Sequence, residues 1–304
     1  MQLRHQVPGQ VRRPSGVTGP AGSLTLCATP IGNLGDITFR ALEALRGADV
    51  ILAEDTRRTA VLLRHHGIRG ELTSYHEHNE VARTAWVLER LRQGASVVLV
   101  SDAGTPGLAD PGFRLVRAAI AAGVPVSALP GASALLPALT LSGLPTHRFA
   151  FHGFVPRTAG ERRAAFREAL EAPLTSVWYE SPRRLPATLR GMREAGYGAR
   201  PAAVARELTK LHEEVLRGTV EQLAERFAAG PPRGAVVLCV GPRPVVAADA
   251  DDAVEEVLRL VRAGTPLSTA AATVAHQVGA SRRDLYARAL DRRDGVRGPN
   301  GPNI

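Results

Sequence analysis

The sequence predicts an α/β protein, and three observations carry that prediction. Strand-like and helix-like segments alternate along most of the 304 residues, and polar residues collect just past the strand-like runs. One run, Val97-Val98-Leu99-Val100, is apolar or β-branched throughout, as a strand buried on both faces should be. It stops at Ser101-Asp102, and Ala103-Gly104-Thr105-Pro106-Gly107 then supplies small residues that let the backbone turn tightly and lie close to something bound. Asp110-Pro111 is expected to open a helix, with Asp as N-cap, Pro in the first turn, and Phe113, Val116 and Ile120 as its apolar stripe. Strand, glycine-bearing loop and helix N-terminus make a ligand-binding corner at the carboxyl end of a strand. An ordinary βα turn has little use for two Asp around so many small residues.

The remaining elements follow in order. Residues 24–28 are predicted as the first strand, followed by the turn Thr29-Pro30-Ile31-Gly32-Asn33. Asp36 is expected to cap a helix that carries Phe39, Leu42 and Leu45 on one face and closes at Gly47. Residues 50–53 form a strand ending in Glu54-Asp55-Thr56-Arg57, and a helix with Leu62 and Leu63 stops at Gly67. A short strand at 72–75 and a helix over 79–93 lead into the central strand; beyond the central helix come a strand at 125–129 and a helix beginning at Pro130-Gly131-Ala132-Ser133. Right-handed crossovers then predict a mostly parallel sheet with helices on both faces.

Near residues 143–148 a second unit starts, with strands expected at 149–154, 175–179, 202–205 and 235–240 and helices near 159–170, 182–195 and 220–228. Residues 241–250, rich in Pro and Ala, read as a linker. Helices at 251–262, 268–278 and 281–290 read as a small module with a helix-turn-helix-like Gly279-Ala280-Ser281 turn. The expected division is 24–144 and 148–241 as two α/β domains and 251–291 as the helical module, with 1–22 and 292–304 as tails.

Composition narrows the class. At 44% hydrophobic residues the chain can bury a real core, and no apolar run approaches the roughly 20 residues of a membrane span. The N-terminal stretch lacks the apolar segment of a secretory signal. Cys27 and Cys239 each sit in an apolar run, as small buried hydrophobes of a reducing cytoplasm do. The net charge of +9 has two readings, a polyanionic partner and a compositional bias toward arginine. Lys210 is the one lysine in the chain, which marks either a place where guanidinium cannot serve or chance survival.

No GxGxxG follows the first strand, and neither a Walker phosphate loop nor a GxSxG elbow is present. His65-His66 and His76-Glu77-His78 lack zinc-site spacing, so no metal site is expected. What remains is a row of polar strand ends: Thr29 to Asn33, Glu54 to Arg57, Ser101 to Thr105, then Tyr179-Glu180-Ser181 and Arg206 to Lys210. In a parallel sheet these fall along one edge, which implies a cleft between the two halves. There Asp102 can accept hydrogen bonds from an ammonium or a ribose, and Gly104 and Thr105 can donate to a carboxylate.

The segment DAGTPGLADPG, residues 102–112, is similar to the signature of the RsmI-type ribosomal RNA methyltransferases, members of the tetrapyrrole methylase superfamily. CATPIGNLGDIT, AEDTRRT, LPGASAL, FHGFVPR, YESPRRL and ARELTKLHEE resemble the remaining motifs in order, from about Leu24 to Val240, with a looser likeness to Leu290. The resemblance implies two α/β domains of tetrapyrrole methylase type, S-adenosylmethionine in the cleft between them, a cytoplasmic homodimer, and methylation of the ribose 2′-hydroxyl of a decoding-centre cytidine in 16S rRNA. Carried over motif by motif, Asp102, Ala103, Gly104, Thr105 and Pro106 correspond to the central donor loop. Ser133, Ala134 and Val236 complete the pocket, with Pro30 and Asn33 lining the cleft. Two departures stand out: Gly234-Ala235 replaces the Gly-Glu common in the family, and the C-terminal module carries Arg282, Arg283 and Arg288 where lysine is usual.

The implied chemistry asks mainly for placement, which can contribute roughly 7 to 11 kcal/mol. A 2′-hydroxyl also has to lose its proton, and a general base adds about 10² to 10⁴ in rate. Lys210, Glu180 and Asp55 are the candidate bases. Arg57, Arg157, Arg183, Arg184, Arg206, Arg282 and Arg283 are the candidate RNA contacts, joined by Arg162, Arg163 and Arg167 on one predicted helix. With few aromatics, recognition of folded RNA shape is expected. The alternatives are a methyltransferase acting on a tetrapyrrole ring and a ribosome-binding protein that keeps a donor pocket without catalysis.

Overall fold

A computed structural model describes residues 22–171, 174–242, 250–278 and 280–295. In the first lobe, β1 (Ser23–Cys27), β2 (Val50–Ala53), β3 (Leu72–Ser74), β4 (Ser96–Val100) and β5 (Val126–Leu129) form a sheet in the order β3-β2-β4-β1-β5. All four pairings are parallel. Helices α1 (Phe39–Arg46), α2 (Thr56–His65), α3 (Glu80–Arg92) and α4 (Phe113–Ala121) cover it. On β4 the side chains split between two cores. Val97 and Leu99 join Leu91 of α3 and Leu115 of α4, while Val98 and Val100 join Leu45 of α1 and Leu63 of α2. A sheet covered on both faces is why this strand is apolar at consecutive positions.

Two helix starts differ from expectation. Thr38, rather than Asp36, caps α1 by accepting from the Ala41 N–H; Asp36 ends a short 3-10 turn, and Phe39 is 88% exposed. Helix α4 begins two residues late. Its N-cap is Gly112 at φ 140°, where a Cβ would come within 2.9 Å of the Leu99 side chain, so Asp110 lies outside the helix in the preceding loop. Of the expected stripe, Val116 packs against the core beside the buried Leu115 and Ala119, whereas Phe113 and Ile120 are exposed. The small Ala119 lets the helix lie close to the strands.

In the second lobe, β6 (Phe149–Phe154), β7 (Thr175–Glu180), β8 (Pro201–Arg206), β9 (Glu214–Thr219) and β10 (Val236–Val240) form a sheet in the order β6-β7-β10-β8-β9. Only β6 and β7 pair in parallel; the other three pairings are antiparallel. The expectation of a mostly parallel sheet therefore holds for the first lobe and is corrected here. Strand β9 was not anticipated. Its sequence EVLRGT has a charged residue at each end of a two-residue apolar run, because an edge strand pairs along one side only. Helices α6 (Ala159–Glu171), α7 (Leu185–Met192) and α8 (Val220–Arg226) cover one face, with Phe166, Leu189 and Leu223 packed on Trp178, Val204 and Leu238.

The other face of this sheet is covered by α5 (Leu135–Ser142), the last helix of the first lobe. Leu135, Ala138 and Leu139 pack with Val177, Ala203, Ala205, Val237 and Cys239. Arg217 of β9 adds hydrogen bonds to the Leu141 carbonyl at the helix end. The two lobes thus share one apolar interface.

Helices α9 (Ala250–Arg262), α10 (Leu267–Val278) and α11 (Arg282–Gly295) form a third unit around Val254, Val257, Ala271, Val274 and Leu285. Helix α11 runs four residues into the stretch expected to be a tail. The expected N-terminal tail up to 21, most of the 241–250 linker, Gly279 of the expected turn and the tail from 296 lie outside the described residues.

Leu139 is 3% exposed and Leu136, on the same helix, 53%. Leu139→Ala is expected to cost about 2 to 5 kcal/mol in urea unfolding, and Leu136→Ala under about 0.5 kcal/mol. Equal losses would show that α5 does not bury this face.

Candidate active site between the two lobes

The loops after β1, β4 and β5 are tied together by backbone and hydroxyl hydrogen bonds. Thr29 and Gly104 exchange N–H to carbonyl hydrogen bonds, both 2.9 Å, in an isolated antiparallel bridge. The Thr29 hydroxyl donates to the Ser101 carbonyl, the Ser101 hydroxyl to the Gly104 carbonyl, and the Thr105 hydroxyl to the Ala132 carbonyl. Gly104 sits at φ 90°, a conformation that side chains with a Cβ rarely adopt. Asp102 brings in the β2 loop. Its Oδ1 accepts the Asp55 N–H at 2.8 Å, and its Oδ2 lies 3.3 Å from an Arg58 guanidinium nitrogen.

Between these loops and the second lobe lies a cavity of about 320 Å³. The first lobe lines it with Ile31, Arg58, Asp102, Ala103, Thr105, Leu108, Asp110, Ser133 and Ala134. The second contributes Phe154 and Tyr179-Glu180 from the ends of β6 and β7, Glu207, Leu208 and Lys210 after β8, and Ala235 to Val237 at the start of β10. Because β10 runs antiparallel to its neighbours, its beginning meets their ends.

Of the donor-pocket residues expected from sequence, Asp102, Ala103, Thr105, Ser133, Ala134 and Val236 line this cavity. Gly104 and Pro106 are buried within the loop, and Pro30, half-buried, precedes the lining Ile31. The three candidate bases fare differently. Asp55 is outside the lining: it caps α2 and accepts from the Arg57 N–H and guanidinium, which hold its carboxyl down at about 2. A carboxylate so stabilised is a weak proton acceptor. Glu180 lines the cavity with a fully buried side chain, but its oxygens are taken by the Ser181 N–H, the Arg184 guanidinium and the Thr188 hydroxyl. The Lys210 ammonium donates to Glu207 Oε1 at 2.8 Å, and this hydrogen bond holds the Glu207 carboxyl below its usual range.

The loop bearing Lys210 crosses to the other lobe. A Cβ on Gly32 would lie 2.6 Å from both Cγ and Cε of Lys210, so the lysine stem rests on bare backbone. Glu207 and Thr209, at φ 49° and 66°, make the turn that aims it there. The Glu207 carboxylate also covers Gly234, where a Cβ would meet Oε1 at 1.9 Å. A carboxylate thus stands beside Ala235, supplied by the β8 loop.

The arginines divide as well. Arg184 donates to Glu180 and to the Val155 carbonyl, and Arg206 pairs with Glu214 at 2.7 Å; both hold the second lobe together. Arg57, Arg157, Arg183, Arg282 and Arg283 are exposed, Arg57 in its pair with Asp55.

Arg58, Asp110 and Glu207 line the cavity; none of them was assigned a catalytic or binding role of its own from sequence, although Asp110 flanks the central loop and Glu207 lies in the polar end after β8. Asp110 is the most perturbed of them. Burial, reinforced by the nearby carboxylates of Glu54 and Asp102, raises its carboxyl to about 7, against a lowering hydrogen bond with Ser101. Burial likewise raises the Tyr179 phenol.

The lining fits the methyl donor implied by the resemblance. Ile31, Leu108, Leu208, Val236 and Val237 offer an apolar wall for a purine, and Asp102 offers negative charge to an ammonium or a ribose. Among the described residues no group of His, Cys, Asp and Glu could hold a metal ion.

Residues 23–224 match the tetrapyrrole (corrin/porphyrin) methylases, and residues 247–293 match the RsmI C-terminal HTH domain. The chain is 47% identical to the ribosomal RNA small subunit methyltransferase I of Mesorhizobium japonicum, covering 94% of this chain and 97% of that protein. It is 44% identical to the protein of that name from Mycobacterium bovis, covering 93% and 99%. Among solved structures, the methyltransferase CobJ aligns with a TM-score of 0.57 at 23% identity, over 73% of this chain and 95% of that one. A uroporphyrin-III C-methyltransferase from Thermus thermophilus complexed with S-adenyl homocysteine aligns with a TM-score of 0.52 at 23% identity, over 72% and 97%. These two likenesses establish the fold, and the sequence matches establish the rest: the chain belongs to the ribosomal RNA small subunit methyltransferase I family of the tetrapyrrole methylases.

Proposed function

We propose that this protein methylates 16S rRNA in the small ribosomal subunit, using S-adenosylmethionine bound between the lobes, and that the acceptor is the ribose 2′-hydroxyl of a decoding-centre cytidine. The observation that carries the reading is the likeness to small-subunit rRNA methyltransferases over both lobes and the helical module alike. The donor supplies an electrophilic methyl on a positively charged sulfur. The chain's own residues do the rest. Asp102, Ala103 and Thr105 form the donor loop, kept open by the Thr29–Gly104 bridge. The apolar wall excludes water from the reacting atoms. Exposed Arg282 and Arg283 on α11, with Arg57, Arg157 and Arg183 on the lobes, meet RNA phosphates. A homodimer and a cytoplasmic location complete the proposal; no described helix is long and apolar enough to cross a membrane.

The decisive experiment supplies labelled donor together with small subunits, naked 16S rRNA or a uroporphyrinogen-type ring. Label on the rRNA at a nuclease-resistant 2′-O-methyl position is expected, and label on the ring instead would overturn the reading. Asp102→Ala leaves the Asp55 N–H without its acceptor and removes a donor-facing charge. Calorimetry should find donor affinity lowered at least about tenfold, as expected for losing a charged hydrogen-bonding group, with the chain still folded and its melting temperature lowered by only a few degrees for the unpaired N–H. Replacing Arg282 and Arg283 by Ala together should weaken subunit binding and reduce the log–log salt slope by roughly 1 to 2. An unchanged slope would place α11 away from RNA.

A further inference from the structure

A second concavity adjoins the interdomain cavity. It is a groove of about 550 Å³ along α4, with Glu80, Phe113, Arg114 and Arg117 on its walls. Among the described residues, Asp110 alone lines both spaces. It stands in the loop between the donor-facing Thr105 and the first turn of α4, next to Ala109 at φ 62°, and the late start of α4 is what frees its side chain from capping.

The groove suits a nucleotide. The Phe113 ring is 69% exposed with the Arg117 guanidinium 5.6 Å from its centre, so a base can stack on one and a phosphate can meet the other. Arg114 is already paired with Glu80 at 3.1 Å. A strand lying in this groove would bring a sugar hydroxyl to the Asp110 end of the cavity.

We infer that Asp110 is the catalytic proton acceptor, taking the proton of an RNA sugar hydroxyl that arrives through the α4 groove. The inference rests on the methyl-transfer reading above. In the step, the hydroxyl oxygen forms a bond to the donor methyl carbon, the carbon–sulfur bond pair returns to sulfur, and the proton moves to an Asp110 carboxylate oxygen. The groove then leads the proton to solvent.

The surroundings support this assignment. Asp55, Glu180 and Lys210 are each held in an ion pair. Asp110 has no ion pair among the described residues; the charges acting on it are Glu54 from the β2 loop and Asp102 from its own loop. Arg58 is turned onto Asp102, Tyr179 faces Asp110 from the second lobe, and Glu77, Glu80 and Arg114 share the groove wall. A carboxyl raised to about 7 is matched to taking a proton near neutral pH. It must be ionised to act, so the rate should climb with pH through about 7 and level off above it.

The test compares wild type with Asp110→Asn and Asp110→Glu on small subunits, with donor affinity by calorimetry. Asp110→Asn should lower kcat by about 10² to 10⁴, flatten the climb with pH and leave donor affinity within a few-fold, while Asp110→Glu restores part of the rate. Independently of activity, the Asp110 carboxyl ¹³C resonance of the free protein should titrate near neutral pH. Arg117→Ala should raise the KM for subunits several-fold with kcat and oligomeric state unchanged. An Asp110→Asn enzyme that keeps the wild-type rate and pH profile, or whose donor affinity falls in step with kcat, overturns the role alone. A wild type that binds donor yet labels no subunit overturns the methyl-transfer reading and this role with it.

Discussion

The apolar contact between α5 and the second sheet is the constraint on which the remaining geometry depends. Leu135, Ala138 and Leu139 belong by sequence to the first lobe and by burial to the second. Without them one face of β8 and β10 would lie open to water, and at roughly 25 cal/mol per Å² of buried apolar surface such a face is not left uncovered at small cost. The same helix follows the β5 loop that carries Ser133 and Ala134. Packing the helix therefore also sets the position of two cavity residues, and the carboxyl ends of the first sheet come to face the ends of β6, β7 and β8.

Charge in the cavity is arranged by a division of labour among carboxylates. Asp55, Glu180 and Glu207 are each neutralised by a cation and held by donors, so they shape loops. Asp102 is shared between the Asp55 N–H and Arg58, which joins two loops and still leaves it facing the cavity. Among the described residues, Asp110 serves as no cap and has no cation paired with it. The outcome is one carboxyl raised to about 7, while those of Asp55 and Glu207 are held below the usual range, a separation produced by environment alone.

Much of this was legible in the chain. The double-sided burial of β4 shows in its unbroken apolar run, and the convergence of strand-end clusters follows from parallel pairing. The second sheet was harder to read because an antiparallel β10 and a parallel strand present the same apolar VVLCV, and direction leaves no mark on such a run. Strand β9 was hidden by its polar composition. Of the stripe expected on α4 only Val116 packs inward, because the face depends on where the helix starts, and the start coincides with a close approach between Gly112 and the Leu99 side chain of the preceding strand. That same shift converted Asp110 from a presumed cap into a cavity residue. The ion pairs of Glu180 and Lys210 depend on side-chain directions that spacing does not encode.

The lone lysine can now be given a steric meaning. Its slender tetramethylene arm lies against the bare backbone at Gly32, bridging from one lobe to the other, and its tip is partnered by Glu207. A guanidinium would carry a broad rigid fork into that slot. In a chain whose every other Lys/Arg position is arginine, the side chain at 210 closes the rim of the cleft as a thin gasket.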